Sequence, residues 1–533
     1  MKHPSTHISK LSRHASVRRR LAFITVFSGW FALLLAGCEA SHRPQAAEEA
    51  APAKSAIAIA NEPKDETWDV FYMQGVRAGY THTVRQTREE GSRTLVVSDV
   101  ETHLEVARAG QVLDTRLMLR SVETTDGKLV RFETEAQFGP TPVVVRGQVV
   151  GNSLEIEQRQ GEKSVKQQIP WSPDVLGFSG TEDSLERQPL QPGEHRNLRV
   201  LLPIVNQVAD DDLAAQDYEE TTLLDGTAKL LRIDSTQRMA DGTEMKTTLW
   251  TDTRGHTLKT RSVVGDQISY RCTKEQALAA AGQPKLDLIE SLLVRPKQPL
   301  PPTIRAAQRA TYLVRLDDGD PVKTFAGSVG QLVTPIDAHS ARLTRWAAGP
   351  VQIPPRDDLA AESAPGPEYL AASSLLQTDD PAVQELARKV TEGAPRSPQR
   401  AVALEQFVYH AIKKKNFSQA LASAAEVARS PEGDCTEHAV LLAALARASG
   451  IPSRVALGLV YLEPMQGFAF HMWTEVYFAG HWLPLDATMG QGVIDVTHLK
   501  LADSSLADGA TYNVFLRVMQ VVGQLEIELQ NVE

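Results

Sequence analysis

Cys435, His471 and Asp486 are the residues of this chain whose types and spacing suit nucleophilic chemistry by a thiol. Cys435 stands in Glu432-Gly433-Asp434-Cys435-Thr436-Glu437-His438, directly ahead of the apolar run from Ala439 to Ala448. Asp434 reads as an N-cap, Gly450 as the first residue past the helix and Pro452 as a stop. The helix between them is apolar on nearly every side, which predicts a central, buried helix with Cys435 at its N-terminus. Backbone N–H groups and the positive end of the helix dipole stabilise a thiolate there. A lone cysteine is more often an inert core residue; its place at a helix start argues for chemistry.

The elements that must bring a base to this thiol follow it in the chain. Arg454 to Tyr461 reads as a strand. Ala469 to Phe478 alternates, with Phe470, Met472, Thr474, Val476 and Phe478 on one face and His471, Trp473, Glu475 and Tyr477 on the other. A two-residue turn at Ala479-Gly480 would pair Phe478 with His481, Val476 with Leu483 and Trp473 with Asp486. In that register Asp486 is a diagonal neighbour of His471 on the same face, about 7 to 8 Å away at the backbone and within side-chain reach. The acid can therefore orient the imidazole. Upstream, Asp380-Pro381 and Ser397-Pro398 are helix starts, with a capping side chain before a proline at the first helical position. Leu404, Phe407, Val408, Ala411 and Ile412 then form one apolar face.

Four blocks in order, Gly433-Asp434-Cys435-Thr436-Glu437-His438-Ala439, Arg447-Ala448-Ser449-Gly450-Ile451-Pro452-Ser453-Arg454, His471-Met472-Trp473-Thr474-Glu475-Val476 and Trp482-Leu483-Pro484-Leu485-Asp486-Ala487-Thr488, resemble the transglutaminase-like superfamily, related to papain-type enzymes. The resemblance covers about 370 to 500. It implies Cys435 as nucleophile, His471 as general base and acid, and Asp486 as orienting acid. It further implies acyl transfer on an amide or peptide bond through a thioester, with hydrolysis favoured and transamidation the alternative. The backbone N–H of Cys435 suits the oxyanion; Asn416 is a candidate second donor, and a helix C-terminal residue is its other reading. Lys413-Lys414-Lys415 just before it reads as a solvated helix end. Glu463 to Phe468 has the composition of a substrate-contacting loop.

Three rival readings remain open at this level. Cys435, His438, His471 and Asp486 contain enough donors for a metal, although no cofactor or metal is expected. The domain could be a non-catalytic binding module. Cys272 could form a disulfide with Cys435, although its position at a strand end favours a structural thiol.

The rest of the chain bounds the setting. Its 533 residues favour several domains. The formal charge is −10, and the first 38 residues hold Lys2, Lys10, Arg13, Arg18, Arg19 and Arg20 with no acid, so the remainder is more acidic still. Such a surface repels phosphate, and no nucleic-acid partner is expected. Leu21 to Gly37 is apolar and follows three arginines, the pattern of an export signal. It ends in Leu35-Ala36-Gly37-Cys38, which resembles a bacterial lipobox and implies lipidation of Cys38. The expectation is an envelope protein held to the membrane by lipid, the outer membrane favoured because Glu39 follows the cysteine, with a peptide or protein substrate. Trp68 to Cys272 shows short alternating runs broken by Asp126-Gly127, Gly151-Asn152, Asp225-Gly226 and Asp241-Gly242. That predicts an antiparallel β domain, a curled sheet or open barrel, in which no charged or metal cluster stands out. The chain thus divides into a signal segment 1–38, a tether 39–65, the β domain 66–272, a helical connector with a small β segment 273–350, a linker 351–368 and the α+β transglutaminase-like domain 369–533.

Overall fold

The computed structural model describes residues 65–533 except 138–140, 162, 203–204, 280–284, 329, 348–362, 394–396, 418–420 and 509–512. Cys38, the export segment, nearly all of the tether and most of the linker lie outside the described residues.

Period-two patterning builds the N-terminal region. In the strand Gln111–Thr124, Leu113, Thr115, Leu117 and Leu119 are buried while Asp114, Arg116, Met118 and Arg120 are exposed. The first strand, Asp65–Met73, pairs antiparallel with Val76–Glu90 on one side and with Gln267–Cys272 on the other. From that seam two meanders run outward, one ending at Lys163–Pro170 and the other at Val175–Leu176, to make a sheet of 15 strands among the described residues. The last pair, next to Val175–Leu176, is parallel. Only residues 171–174 join the two ends of the sheet. Laid flat, such a sheet would be about 65 Å wide, whereas that connection reaches at most about 18 Å. The sheet is therefore curled. Its outer register is reinforced by a ladder of alternating charge, Arg120, Glu133, Arg146, Glu157 and Lys166, each directly opposite the next.

The curl also assembles a cluster that the sequence reading did not find. Arg85 donates to both oxygens of Asp183, at 2.7 and 3.0 Å. Beside them Glu123 is buried, and desolvation, reinforced by Asp183, pushes its carboxyl up to about 7. These residues belong to three distant segments, so no local pattern joins them.

Arg309–Leu316, Gln331–Pro335 and Ser340–Trp346 form a second sheet whose fourth strand is the chain end, Leu525–Val532. The segment 273–350 and the domain 369–533, read as lying on either side of a linker, thus share a sheet. The C-terminal region is α+β. Helices Pro381–Thr391, Pro398–Ala411, Ala424–Arg429 and Cys435–Ala448 accompany an antiparallel sheet ordered His481–Leu485, Gly467–Phe478, Ser453–Leu462, His498–Ser504. The helix Cys435–Ala448 is buried from Cys435 to Arg447. Thr474 Oγ donates to the Ala439 carbonyl at 2.9 Å and Ser453 Oγ to that of Ala443 at 2.8 Å, tying the helix to the sheet. One apolar core runs from the curled sheet into this region. No helix among the described residues is long and apolar enough to cross a membrane.

Candidate active site

The start of the helix Cys435–Ala448 is built by a reciprocal capping box. Asp434 Oδ1 accepts from the Thr436 N–H at 2.8 Å, and Glu437 Oε2 accepts from the Asp434 N–H at 2.9 Å. Gly433 makes this closure possible. It sits at φ +144°, and a Cβ there would lie 2.4 Å from the Glu437 side chain. Glu437 also accepts from the Ala422 N–H; burial and the neighbouring Asp434 push its carboxyl up to about 8. Cys435, the first residue of the helix, is 1% exposed.

Strands Gly467–Phe478 and His481–Leu485 pair in the predicted register, from Phe478 opposite His481 to Thr474 opposite Leu485. Asp486 follows at the end of the ladder. His471 Nε2 lies 2.8 Å from Asp486 Oδ2, both side chains being fully buried. The other ring nitrogen, Nδ1, is buried and not engaged by a carboxylate, and Cys435 is close enough to act on the ring. Burial opposes the charge on this ring, but the Asp486 carboxylate and the hydrogen bond with Cys435 outweigh it and push His471 up to about 10. Asp486 in turn is held well below the usual carboxylate range; its burial is outweighed by His471 and His498. The structure thus brings Cys435, His471 and Asp486 together in one buried chain of contacts.

His498 is the member of this cluster that sequence reasoning missed. Its Nε2 is 3.1 Å from the same Asp486 oxygen and its Nδ1 is 3.4 Å from Asp495 Oδ1. Asp495 is fixed by Arg305 at 2.9 Å and by the Thr497 N–H at 2.8 Å. The sequence signal was Asp495-Val496-Thr497-His498, a side-chain-capped turn leading into the edge strand His498–Ser504. The other oxygen of Asp486 accepts from the Thr488 N–H at 2.8 Å. The loop beyond it is held by Glu405 of the helix Pro398–Ala411, which accepts from the Gly492 N–H at 3.1 Å.

One expectation is corrected here, and the remaining candidates take their places around it. The helix before the site stops at Ala411, so Lys413-Lys414-Lys415 and Asn416 lie beyond it and neither is a helix end. They run in an extended segment in which Lys414 bridges in parallel to Glu432 and its carbonyl accepts from the Gly433 N–H. Asn416 therefore sits, half-buried, alongside the approach to Cys435. His438 is not gathered with Cys435, His471 and Asp486 as a ligand set: its Nδ1 donates to the Asp434 carbonyl one turn back. Burial and the charge of Lys415 bring it down to about 4. Among the described residues the ligand atoms close enough to share a metal, within 4.8 Å of one another, are those of His471, Asp486 and His498. Here both imidazoles bond the single Asp486 oxygen instead. Neither Cys272 nor Cys435 is in a disulfide. Cys272 lies against the Trp68 carbonyl at 3.5 Å, and burial with the charge of Asp69 pushes it up to about 12. Glu463 to Phe468 forms a tight turn, pinned by reciprocal backbone bonds of 2.8 Å between Val294 and Phe468 and by Arg295 on the Met465 carbonyl.

No curated protein matches this sequence. Among solved structures, a candidate cysteine protease from Cytophaga hutchinsonii is similar at 19% identity, over 42% of this chain and 86% of that one, with a TM-score of 0.26. A β-barrel-like protein of a domain of unknown function from Brucella abortus is similar at 10% identity, over 39% and 94%, with a TM-score of 0.30. The periplasmic domain of TgpA from Pseudomonas aeruginosa, bound to ethylmercury, is similar at 14% identity, over 56% and 86%, with a TM-score of 0.21. Residues 384–487, which carry Cys435, His471 and Asp486, match the model of the transglutaminase-like superfamily.

Proposed function

We propose that the protein is a thiol enzyme that performs acyl transfer on an amide or peptide bond, with water as the usual acceptor. The observation that carries this reading is the single buried arrangement of a helix-start cysteine, an imidazole and a carboxylate on that imidazole. In this mechanism the Cys435 thiolate attacks the substrate carbonyl, forming a carbon–sulfur bond. The oxyanion is met by the Cys435 backbone N–H at the helix start, with Asn416 as candidate second donor. The His471 imidazolium protonates the departing amine, the carbon–nitrogen bond breaks, and a thioester remains. Neutral His471 then takes a proton from water, which attacks the thioester and releases the acid and the thiol. Asp486 holds the ring so that Nδ1 meets the sulfur in both half-reactions. An amine in place of water would make the same site a transamidase.

The setting proposed for this reaction is the bacterial envelope, with Cys38 lipidated, the outer membrane favoured, and a peptide or protein as substrate. The experiment is alkylation by iodoacetamide between pH 5 and 9, with Cys435 followed by peptide mass spectrometry, in the wild type and in His471→Ala. Labelling that persists well below the free-thiol value of about 8.5 and weakens without His471 supports the enzyme. Slow labelling of both proteins would leave a binding module as the better reading.

A further inference from the structure

The strand Arg93–Arg108 and its partner Gln111–Thr124 belong to the N-terminal sheet, yet the tip of their hairpin ends against the helix that carries Cys435. The turn is tight, with Ala109 at φ +49° and Gly110 at φ +73°. It is pinned from one side by the connector, through Ala107 N–H to the Leu286 carbonyl at 2.7 Å and Gly110 N–H to Asp287 Oδ2 at 2.8 Å. From the other side the Phe417 N–H donates to Gln111 Oε1 at 3.1 Å. The last strand residue, Arg108, is wholly buried. Its guanidinium pairs with Asp434 Oδ2, the oxygen of the N-cap that the Thr436 N–H does not take, and lies 5.8 Å from the centre of the Phe417 ring.

A carboxylate one residue before a nucleophilic thiol has two opposed effects. It caps the helix that stabilises a thiolate, and its own negative charge repels that thiolate. A buried cation on the outer carboxylate oxygen removes the repulsion and keeps the cap. We propose that Arg108, delivered by the N-terminal sheet, is a positioning residue for Cys435: it neutralises and fixes Asp434 so that the helix start can present a thiolate. The curled sheet is then part of the catalytic centre and not a spacer in front of it. This rests on the reading of Cys435 as the nucleophile. The other titratable groups around this point are Glu437 and His438 on the same helix, Lys415 on the preceding segment, and His471 and Asp486 from the facing hairpin. Burial and Asp434 keep the Glu437 carboxyl high, and the cation that meets the capping box in the structure sits on Asp434.

The test is the pH midpoint of Cys435 alkylation in the full chain, read by peptide mass spectrometry, with folding checked by exchange protection of the helix. Arg108→Met is expected to raise the midpoint by about one pH unit, which is about tenfold slower labelling below it. Arg108→Lys should recover most of that change. Asp434→Asn, which still caps but leaves Arg108 unbalanced, should move the midpoint the other way, and the double variant Arg108→Met with Asp434→Asn should return it toward wild type. A folded Arg108→Met protein with the wild-type midpoint overturns the proposal. Should Arg108→Met fail to fold, Asp434→Asn decides: a lower midpoint supports the proposal, and an unchanged or higher one overturns it. His471→Ala, measured alongside, separates this from the enzyme reading itself. If the wild type and His471→Ala both label as ordinary thiols, the nucleophile assignment has failed; if only the Arg108 and Asp434 variants are silent, the proposal alone has.

Discussion

Replacing Glu475 by glutamine should destabilise the sheet that carries His471, by an amount that can be worked out in two ways. Glu475 lies on the strand Gly467–Phe478, and its Oε2 accepts from Arg454 of the neighbouring strand and from Lys500 of the edge strand, each at 2.7 Å. One buried carboxylate thus joins three strands. Burial opposes its charge, but Lys500 and Arg454 outweigh that and hold the carboxyl at about 2, against 4.5 for an ordinary glutamate. At about 1.36 kcal/mol per pH unit, that depression corresponds to about 3 kcal/mol of stability. Breaking a buried ion pair from one side costs about 3 to 5 kcal/mol by a separate route. The lower end applies here, because Asp503 remains near both cations, 2.8 Å from Lys500 and 3.1 Å from Arg454. The sign follows from the depressed value: the contribution is complete above about 4.5 and is lost as pH falls through about 2. Glu475→Gln should therefore lose about 3 kcal/mol at pH 7, with the gap to wild type shrinking to about 1 kcal/mol at pH 3. Urea titration with hydrogen exchange of the Gly467–Phe478 amides would measure both. A loss below about 1 kcal/mol at pH 7, or a gap that does not close on acidification, would refute the reasoning.

Other consequences concern the site itself. Because Asp486 and Cys435 hold His471 up near 10, amide turnover should persist through neutral pH and fall as pH rises through about 10. The stability gained from charging this ring is present below its ordinary 6.5 and lost over the same rise. Asp486→Asn should move the alkaline limb of the pH–rate profile down by one unit or more, and an unmoved limb would mean that Asp486 does not charge the ring. His498→Phe removes a hydrogen bond to a buried carboxylate and should lower kcat about tenfold at unchanged KM; a change confined to KM would place His498 in substrate binding instead. Gly458 lies directly opposite His471 in the paired strand. An added Cβ there would meet the Leu499 carbonyl oxygen at 2.1 Å and the Trp473 ring at 2.8 Å. Gly458→Ala should yield no soluble folded protein; normal expression and melting would show that the two strands can part.

What could be read without the fold was what is local in the chain. The helix start at Asp434 is a capping box within four residues, and the register of the hairpin after Gly467 follows from period two and a two-residue turn. Both came out as expected because short-range hydrogen bonds and alternation decide them. The same locality made the curled β sheet legible from its turn pairs. The helix-end reading of Lys413 to Asn416 failed because the helix stops at Ala411 and Lys414 pairs instead with Glu432, 18 positions on. Arg108 carries no local signal at all, and the capped turn before His498 does not say which carboxylate its ring will meet. Each looks like an ordinary strand residue until the edge strand docks beside Ser453–Leu462, or until the hairpin tip of the N-terminal sheet is pinned between Leu286 and Phe417. The sequence by itself determined the helix start that bears Cys435 and the strand that bears His471. Only the tertiary structure decided which charges face them, because a buried ion pair between Arg108 and Asp434 joins residues that no periodicity relates.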